Sequence, residues 1–91
     1  MELRWTPSAL RDIDDAGNYI AQDHPPAAAG MGRRIVEAVD YLEQHPALGR
    51  SGRLRHIREL VVSGTPFIVI YQVRLDVIQV LRVLHHARKW P

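Results

Sequence analysis

Residues 67–84 decide the fold of this chain and read FIVIYQVRLDVIQVLRVL. Branched and aromatic apolar residues dominate two runs, 67–73 and 77–84, which are separated only by Arg74-Leu75-Asp76. Runs of this length and composition predict β-strands. Because consecutive strands joined by so short a connection pair in opposite directions, the stretch predicts an antiparallel hairpin.

The predicted hairpin is apolar on both of its faces. Successive strand residues point to opposite faces, so a sheet with one solvated face alternates apolar and polar residues. The first face would carry Phe67, Val69, Tyr71 and Val73. Strict alternation predicts a second apolar face of Ile68, Ile70, Ile78, Val80 and Leu84, with Arg82 among them.

Two amphipathic helices are predicted upstream of the sheet. Thr6-Pro7 is a good helix start, since a hydroxyl suits the N-cap and proline suits the first helical position. An apolar stripe of Ala9, Ile13, Ala16 and Ile20 predicts a first helix near residues 7–22. After Pro25-Pro26, a second stripe comprises Ala28, Met31, Ile35, Ala38 and Leu42. The second helix must end before Pro46, because proline disfavours a helical residue ahead of it.

The predicted fold class is α+β, with an N-terminal helical hairpin packed on a small, mainly antiparallel β-sheet of three to four strands. Strands at 57–62, 67–73 and 77–84 form a meander, and residues 3–5 supply a short opening strand. One helical hairpin covers only one face of a sheet. The second face then needs the C-terminal tail, another protomer or a bound partner segment, unless a strongly twisted sheet closes over it.

Length and composition indicate one small domain, residues 1–91, that is either stabilised by a partner or has a modest stability of its own. A chain of this size buries about 60–65% of its unfolded surface, which leaves it marginally stable alone. The sequence contains no cysteine, so disulfides and thiolate metal sites are excluded. We expect no metal site and no cofactor. A polar N-terminus and the lack of an apolar run of about 18 residues predict a soluble, cytoplasmic protein without a membrane partner.

Charge is distributed unevenly between the two halves of the chain. Residues 1–45 hold four arginines against eight acidic residues, a balance of −4. Residues 46–91 hold seven arginines and Lys89 against two acidic residues, a balance of +6. A cationic C-terminal half predicts an anionic partner, either a nucleic acid or an acidic peptide. Arginine in particular favours bidentate contacts with carboxylate or phosphate.

Arginines within this cationic half have both functional and structural interpretations. Arg50, Arg53, Arg55 and Arg58 create a local positive potential, although a solvated loop is the better interpretation for Arg53 and Arg55. A guanidinium at position 82, beside apolar neighbours, is costly unless it is paired. Arg82 therefore either contacts an anionic group of a partner, or pairs with Glu59 as a structural ion pair.

The motifs of the chain follow one another in a distinctive order. The helical hairpin is followed by Gly49-Arg50, by Arg58-Glu59-Leu60, by Ile70-Tyr71-Gln72-Val73 and by Val80 to Arg88. This order resembles the RelE/ParE toxin superfamily over essentially the whole chain. The opening Trp5-Thr6-Pro7-Ser8-Ala9 and the terminal pattern Arg-Val-Leu-His-x-Ala-Arg are similar to the ParE-like branch in particular.

The resemblance implies a toxin of a type II toxin–antitoxin system, held inactive in a hetero-oligomer by the C-terminal segment of its antitoxin. A segment with acidic and apolar residues would satisfy both the cationic half and the apolar second face. RelE-like members cut messenger RNA on the ribosome. ParE-like members poison DNA gyrase without a known catalytic site of their own. We expect the ParE-like activity here, with gyrase as the target.

Departures from the RelE-like pattern support that choice. The sole lysine is Lys89, Ile68 stands where RelE-like sequences carry an arginine, and no tyrosine follows Tyr71. For the alternative, a ribosome-dependent messenger ribonuclease, Glu59 with His85 or His86 would supply the acid and base beside Arg88. In either case the predicted contacts to target or antitoxin are Arg50, Arg58, Arg82, His85, His86, Arg88 and Trp90.

Overall fold

The computed structural model describes residues 1–22 and 24–85. Two helices and five strands follow one another along the chain. Their bounds are β1 (Glu2–Trp5), α1 (Pro7–Ala21), α2 (Pro25–Tyr41), β2 (Arg50–Ser51), β3 (Ile57–Val61), β4 (Phe67–Arg74) and β5 (Val77–His85). This α+β arrangement confirms the predicted fold class, and the helices lie within a few residues of their predicted bounds.

The strands form one sheet in the order β1-β5-β4-β3-β2. β1 pairs with β5 in parallel, and the other neighbours pair antiparallel. The sheet therefore has five strands where the sequence predicts three to four. The additional strand is β2, which is only two residues long and lies in a stretch rich in glycine and arginine without apolar alternation.

Both helices begin at capping residues that the sequence supplies. Thr6 has an extended backbone, and its hydroxyl accepts a hydrogen bond from the Ala9 N–H at 3.1 Å. The same hydroxyl donates to the Leu81 carbonyl at 3.0 Å, which ties the start of α1 to β5. His24 caps α2 through Nδ1, which accepts from the Ala27 N–H. Neither helix, within the part of the chain that the structure describes, is long and apolar enough to cross a membrane.

The helices pack on one face of the sheet and form the main core with it. Its buried members are Ala9, Ile35, Val39, Leu42, Val62, Phe67, Val69, Tyr71, Ile78, Val80 and Val83. Each helix contributes its apolar stripe and β4 contributes alternate residues, as the 3.6- and 2-residue periods require. We call this face of the sheet the helix-side face.

A β-bulge in β5 overturns part of the predicted second face. Ile70 pairs with Arg82 whereas Tyr71 pairs with Val80, so Leu81 is an extra residue without a partner in β4. An extra residue reverses the alternation beyond it. Ile78 and Val80 therefore belong to the helix-side core, as does Val83, and the prediction that Ile78 and Val80 lie on the second face is wrong.

A second, smaller cluster lies on the opposite side of the sheet. Its buried members are Ile57, Ile70 and Leu84, with Ile68 and Leu81 packed against them. Among the described residues, the apolar members of this cluster all come from β3, β4 and β5. Neither helix contributes to it. We call the side that carries this cluster the second face.

The buried Tyr71 hydroxyl fixes the segment that leads into β2. It donates a hydrogen bond to the Pro46 carbonyl at 2.8 Å and accepts one from the Gly49 N–H at 2.8 Å. Burial raises the pKa of Tyr71, and the Gly49 hydrogen bond and the charge of Arg58 partly oppose that rise. The contact is tight, because a Cβ at position 49 would stand 2.7 Å from the Tyr71 oxygen. Tyrosine and glycine are therefore matched at these positions.

Replacing Tyr71 with phenylalanine tests the two hydrogen bonds of the Tyr71 hydroxyl. Tyr71→Phe leaves the Gly49 N–H and the Pro46 carbonyl without their partner, and we expect a loss of about 1–3 kcal/mol in the free energy of unfolding. Urea denaturation measures the loss. Tyr19→Phe is the matched control, since Tyr19 is exposed. Equal stability of the two variants would contradict a structural role for the Tyr71 hydroxyl.

The difference in the free energy of unfolding between wild type and Tyr71→Phe should also depend on pH. Because the pKa of Tyr71 is raised in the folded state, its hydroxyl contributes fully to the free energy of unfolding at any pH below the unfolded-state pKa near 10. As the pH rises further, the hydroxyl ionises first in the unfolded chain, and the contribution declines. The stability gap between the two proteins should therefore be constant at neutral pH and narrow above about pH 10.

Candidate partner-binding surface

The register of the sheet aligns four side chains in one row across the second face. Arg50 is opposite Glu59, Glu59 is opposite Ile70, and Ile70 is opposite Arg82. Residues directly opposite one another on neighbouring strands point to the same face. An apolar centre is thus flanked by charged residues on both sides, and the row contains two of the arginines that the sequence predicts as partner contacts.

The apolar part of the second face is less exposed than the sequence predicts. Ile70 and Leu84 are buried, whereas Ile68 is half-buried. Leu81, placed at the bulge, is also half-buried. Val61, which pairs with Ile68, is 59% exposed. The accessible apolar groups are therefore Ile68, Leu81 and Val61 rather than the whole predicted set.

Glu59 is engaged by Arg50, its neighbour across β2 and β3. Their side chains form an ion pair at 3.2 Å, in which Arg50 is 72% exposed and Glu59 17% exposed. The carboxylate is held near the sheet while the guanidinium extends into solvent. The hypothesis that Glu59 pairs with Arg82 is therefore wrong, because β4 separates the two residues.

Arg82 instead forms a bidentate ion pair with Asp12 of α1. Its Nε and Nη2 donate to the two carboxylate oxygens at 2.7 and 3.0 Å. The hydrogen bonds to Asp12 raise the pKa of Arg82, with burial opposing and the charge of Asp12 adding to the rise. This bidentate geometry gives the pair both energy and fixed orientation. Arg82 is thus a structural residue as well as a flank of the second face.

Asp12 also completes the exposed edge of β5. β1 pairs with β5 only as far as Val80, so the residues that follow have no strand partner on that side among residues 1–22 and 24–85. The Asp12 carboxylate accepts a hydrogen bond from the Val83 N–H at 2.9 Å. A side chain of α1 thereby takes the place of a neighbouring strand, and it does so just beyond the bulge at Leu81.

The structure does not bring Glu59 and His85 together. Glu59 lies on the second face with Ile70, whereas His85 pairs with Phe67 of the helix-side core. The rings of His85 and Phe67 meet edge to face, with centroids 5.8 Å apart. The Glu59–His85 form of the alternative ribonuclease site is therefore wrong, because the two residues lie on opposite faces of the sheet. His86, Arg88 and Trp90 lie outside the described residues.

Arg58, another predicted contact residue, is directed toward its own chain. Its guanidinium donates to the Gly49 carbonyl at 2.7 Å and to the Ala47 carbonyl at 3.4 Å. Together with the Tyr71 hydroxyl, Arg58 fixes the segment that precedes β2. Arg53 and Arg55, interpreted from the sequence as solvated, are exposed in the following loop.

Sequence reasoning missed a cleft between α2 and the outer edge of β3. The cleft has a volume of about 400 Å³ and is lined in part by Tyr41, Leu48 and Val61. These three large apolar side chains are all exposed. Alternation predicts that Val61 faces away from the helix-side core. It gives no signal for Tyr41 or Leu48, because neither residue continues an apolar stripe.

Comparisons with known proteins identify the family. The family described as the ParE toxin of type II toxin–antitoxin system, parDE, matches residues 3–90. This chain belongs to the ParE toxin family. A chain of the chromosomal ParDE toxin–antitoxin system from P. aeruginosa is similar in structure, with a TM-score of 0.83, 30% identity, and coverage of 91% of this chain and 92% of that one.

Two curated relatives are similar to this ParE family member over almost their full lengths. Y4kP of Sinorhizobium fredii is 46% identical, over 98% of this chain and 92% of the relative. Toxin RelE2 of Caulobacter vibrioides is 37% identical, over 96% of this chain and 97% of the relative. The resemblance found in the motifs is confirmed, and the chain is a toxin of the type II toxin–antitoxin class.

Removal of the Asp12 carboxylate tests how this ParE family member closes its sheet. Asp12→Ala leaves the half-buried Arg82 guanidinium and the Val83 N–H without their acceptor, so we expect a loss of about 1–3 kcal/mol in unfolding free energy. Glu2→Ala is the control, because Glu2 pairs with Arg4 in solvent and should contribute about 0–1 kcal/mol. Thermal or urea denaturation measures both, and equal small losses would argue against the edge role of Asp12.

Proposed function

We propose that this ParE family toxin acts in the cytoplasm on DNA gyrase and is neutralised there by a cognate antitoxin. The match to the ParE toxin family over residues 3–90 supports gyrase as the target. One observation of the sheet geometry supports gyrase over the ribonuclease alternative. Glu59 and His85 point to opposite faces, so they are not arranged to act as acid and base on one RNA phosphate. Poisoning of gyrase by binding does not require such a pair.

The second face is the proposed site for the antitoxin segment. It offers half-buried Ile68 and Leu81 and the exposed Val61 as apolar contacts, with Arg50 beside them. Arg50 remains largely in solvent although it is paired, so its guanidinium is accessible to a carboxylate of the partner. A segment carrying both acidic and apolar residues fits this surface, and binding would produce a hetero-oligomer.

A messenger ribonuclease of the RelE type is the second candidate. One relative, 37% identical, bears the name Toxin RelE2. The predicted groups on the described part of the sheet do not form its acid–base pair, and the remaining predicted groups, His86 and Arg88, lie outside the described residues. The two activities differ in their products, so one induction experiment separates them.

Expression of the toxin without its antitoxin is that experiment. Gyrase poisoning should give filamentous cells, an SOS response and, with purified gyrase and supercoiled plasmid, protein-linked cleaved DNA. Ribonuclease action should give rapid arrest of translation and transcripts cut at the ribosomal A site. Cut transcripts together with unaffected supercoiling would overturn the gyrase proposal. Harmless expression of folded protein would contradict both activities.

Substitution at the second face tests the proposed antitoxin site. Ile68→Glu places a carboxylate among the half-buried apolar groups, and we expect antitoxin affinity to fall at least tenfold, since about 1.4 kcal/mol corresponds to each factor of ten. Leu75→Glu is the matched control, because Leu75 is 95% exposed in the β4–β5 turn. Titration calorimetry with the antitoxin encoded beside the toxin measures both. Unchanged binding by folded Ile68→Glu would place the antitoxin elsewhere.

A further inference from the structure

The loop between β2 and β3 is held in one conformation by backbone hydrogen bonds. The Gly52 N–H donates to the Ile57 carbonyl at 2.8 Å, and the Ile57 N–H donates to the Leu54 carbonyl at 3.2 Å. The Val73 N–H donates to the His56 carbonyl, which fixes the end of the loop to β4. We call residues 52–56 the cationic loop.

His56 shows that this conformation is imposed rather than relaxed. Its φ of 64° lies in the left-handed region, which is unfavourable for a residue with a Cβ. Such strain persists only where surrounding contacts enforce it, and it is frequent at binding sites. The hydrogen bonds around the loop supply that enforcement here. The loop is therefore arranged before any partner arrives.

The cationic loop presents its charges without internal partners. Arg50 pairs with Glu59, and Arg58 donates to the carbonyls of the segment before β2. Arg53 and Arg55, in contrast, are exposed and form no ion pair or hydrogen bond with the described residues. The sequence from 46 to 58 contains no acidic residue. The positive potential of these two guanidinium groups is therefore not neutralised within the loop.

The shape of the loop favours a small anionic group over a protein surface. Residues 51–58 line a shallow concavity of about 470 Å³. The only exposed large apolar side chain among them is Leu54. Protein interfaces are centred on apolar groups that become fully buried, and one leucine does not provide such a centre. Phosphate oxygens of nucleic acids, in contrast, accept hydrogen bonds from arginine and other polar side chains and from backbone N–H groups, and such contacts need no apolar centre.

We propose that the cationic loop binds the phosphodiester backbone of nucleic acid through Arg53 and Arg55. The site adjoins the second face, since Ile57 belongs to both, but its two arginines lie in the loop and the proposal does not depend on which target the toxin has. Phosphodiesters occur in DNA held by gyrase and in RNA on the ribosome, and free nucleic acid of either kind is sufficient to test the loop. The contact is independent of sequence, because it involves no base edges.

Salt dependence of binding measures the number of phosphates contacted. Each neutralised phosphate contributes about 0.9 to the slope of log K against log salt for duplex DNA and about 0.7 for single strands. Arg53→Ala/Arg55→Ala should therefore lower the duplex slope by about 1.8 and remove about a tenfold change in affinity between 50 and 200 mM salt. Fluorescence anisotropy with a short labelled DNA duplex and a single-stranded RNA of equal length gives both slopes.

Two variants control for charge and for chemistry. Arg33→Ala/Arg74→Ala removes the same charge from exposed positions elsewhere and should change the slope less than the loop variant does. Arg53→Lys/Arg55→Lys keeps the charge and should keep most of the slope. Circular dichroism confirms that each variant is folded. The duplex and RNA arms identify the preferred source of phosphate, and a slope change in either arm supports the proposal.

Three results would overturn the proposal. The first is a wild-type protein that binds neither nucleic acid at low salt. The second is an equal loss of slope in the loop variant and in the Arg33/Arg74 control, which would reflect net charge alone. The third is an unchanged slope in the loop variant, and loss of gyrase or antitoxin binding by that same variant would make the loop a protein contact instead. Failure to inhibit gyrase leaves this test unaffected, because it uses free nucleic acid.

Discussion

The contact between Asp12 and the edge of β5 is the interaction on which the arrangement of the sheet depends. β5 contains one extra residue, Leu81, and immediately beyond it no strand of the described part of the chain pairs with β5 on the β1 side. The Asp12 carboxylate accepts hydrogen bonds from the Val83 N–H and from Nε and Nη2 of Arg82. One carboxylate thus serves as acceptor for both the backbone at the open edge and the guanidinium. The bulge brings Val80 and Val83 onto the same, helix-side face of the sheet. Helix α1 is thus part of the sheet's edge as well as its cover.

The arginines separate into two groups by what surrounds them. Those near the apolar sheet are matched to groups of the chain itself: Arg82 to Asp12, and Arg58 to backbone carbonyls. A guanidinium close to apolar neighbours requires such partners, since leaving it unpaired there is costly. Arg53 and Arg55 lie in a loop where water solvates them and no partner is required. Arg53 and Arg55 can therefore bind another molecule without giving up a contact within the described part of the chain.

Sequence patterns anticipate the helices and long strands because local signals fix them. Thr6-Pro7 begins α1, and apolar alternation places β4 correctly on both of its faces. The bulge has no such signal, since Leu81 is apolar like its neighbours. Alternation continued past it assigns Ile78 and Val80 to the wrong face. The two-residue β2 and the parallel pairing of β1 also depend on distant contacts, which a local pattern does not contain. The partners of Arg82 and Glu59 follow from that same topology.

Differences between the two ion pairs of the second face determine what a carboxylate of a partner can reach. Arg82 is held in a bidentate pair at a half-buried site, with side chains 33% and 13% exposed, so exchange of its partner would leave Asp12 without compensation. Arg50 is 72% exposed and donates to Glu59 through a single contact, so the other N–H groups of its guanidinium are open to a second carboxylate. An incoming carboxylate can therefore bind Arg50 while Arg50 keeps its contact with Glu59. The acidic part of an antitoxin segment should engage the face at its β2 side, while Arg82 continues to hold α1 against β5.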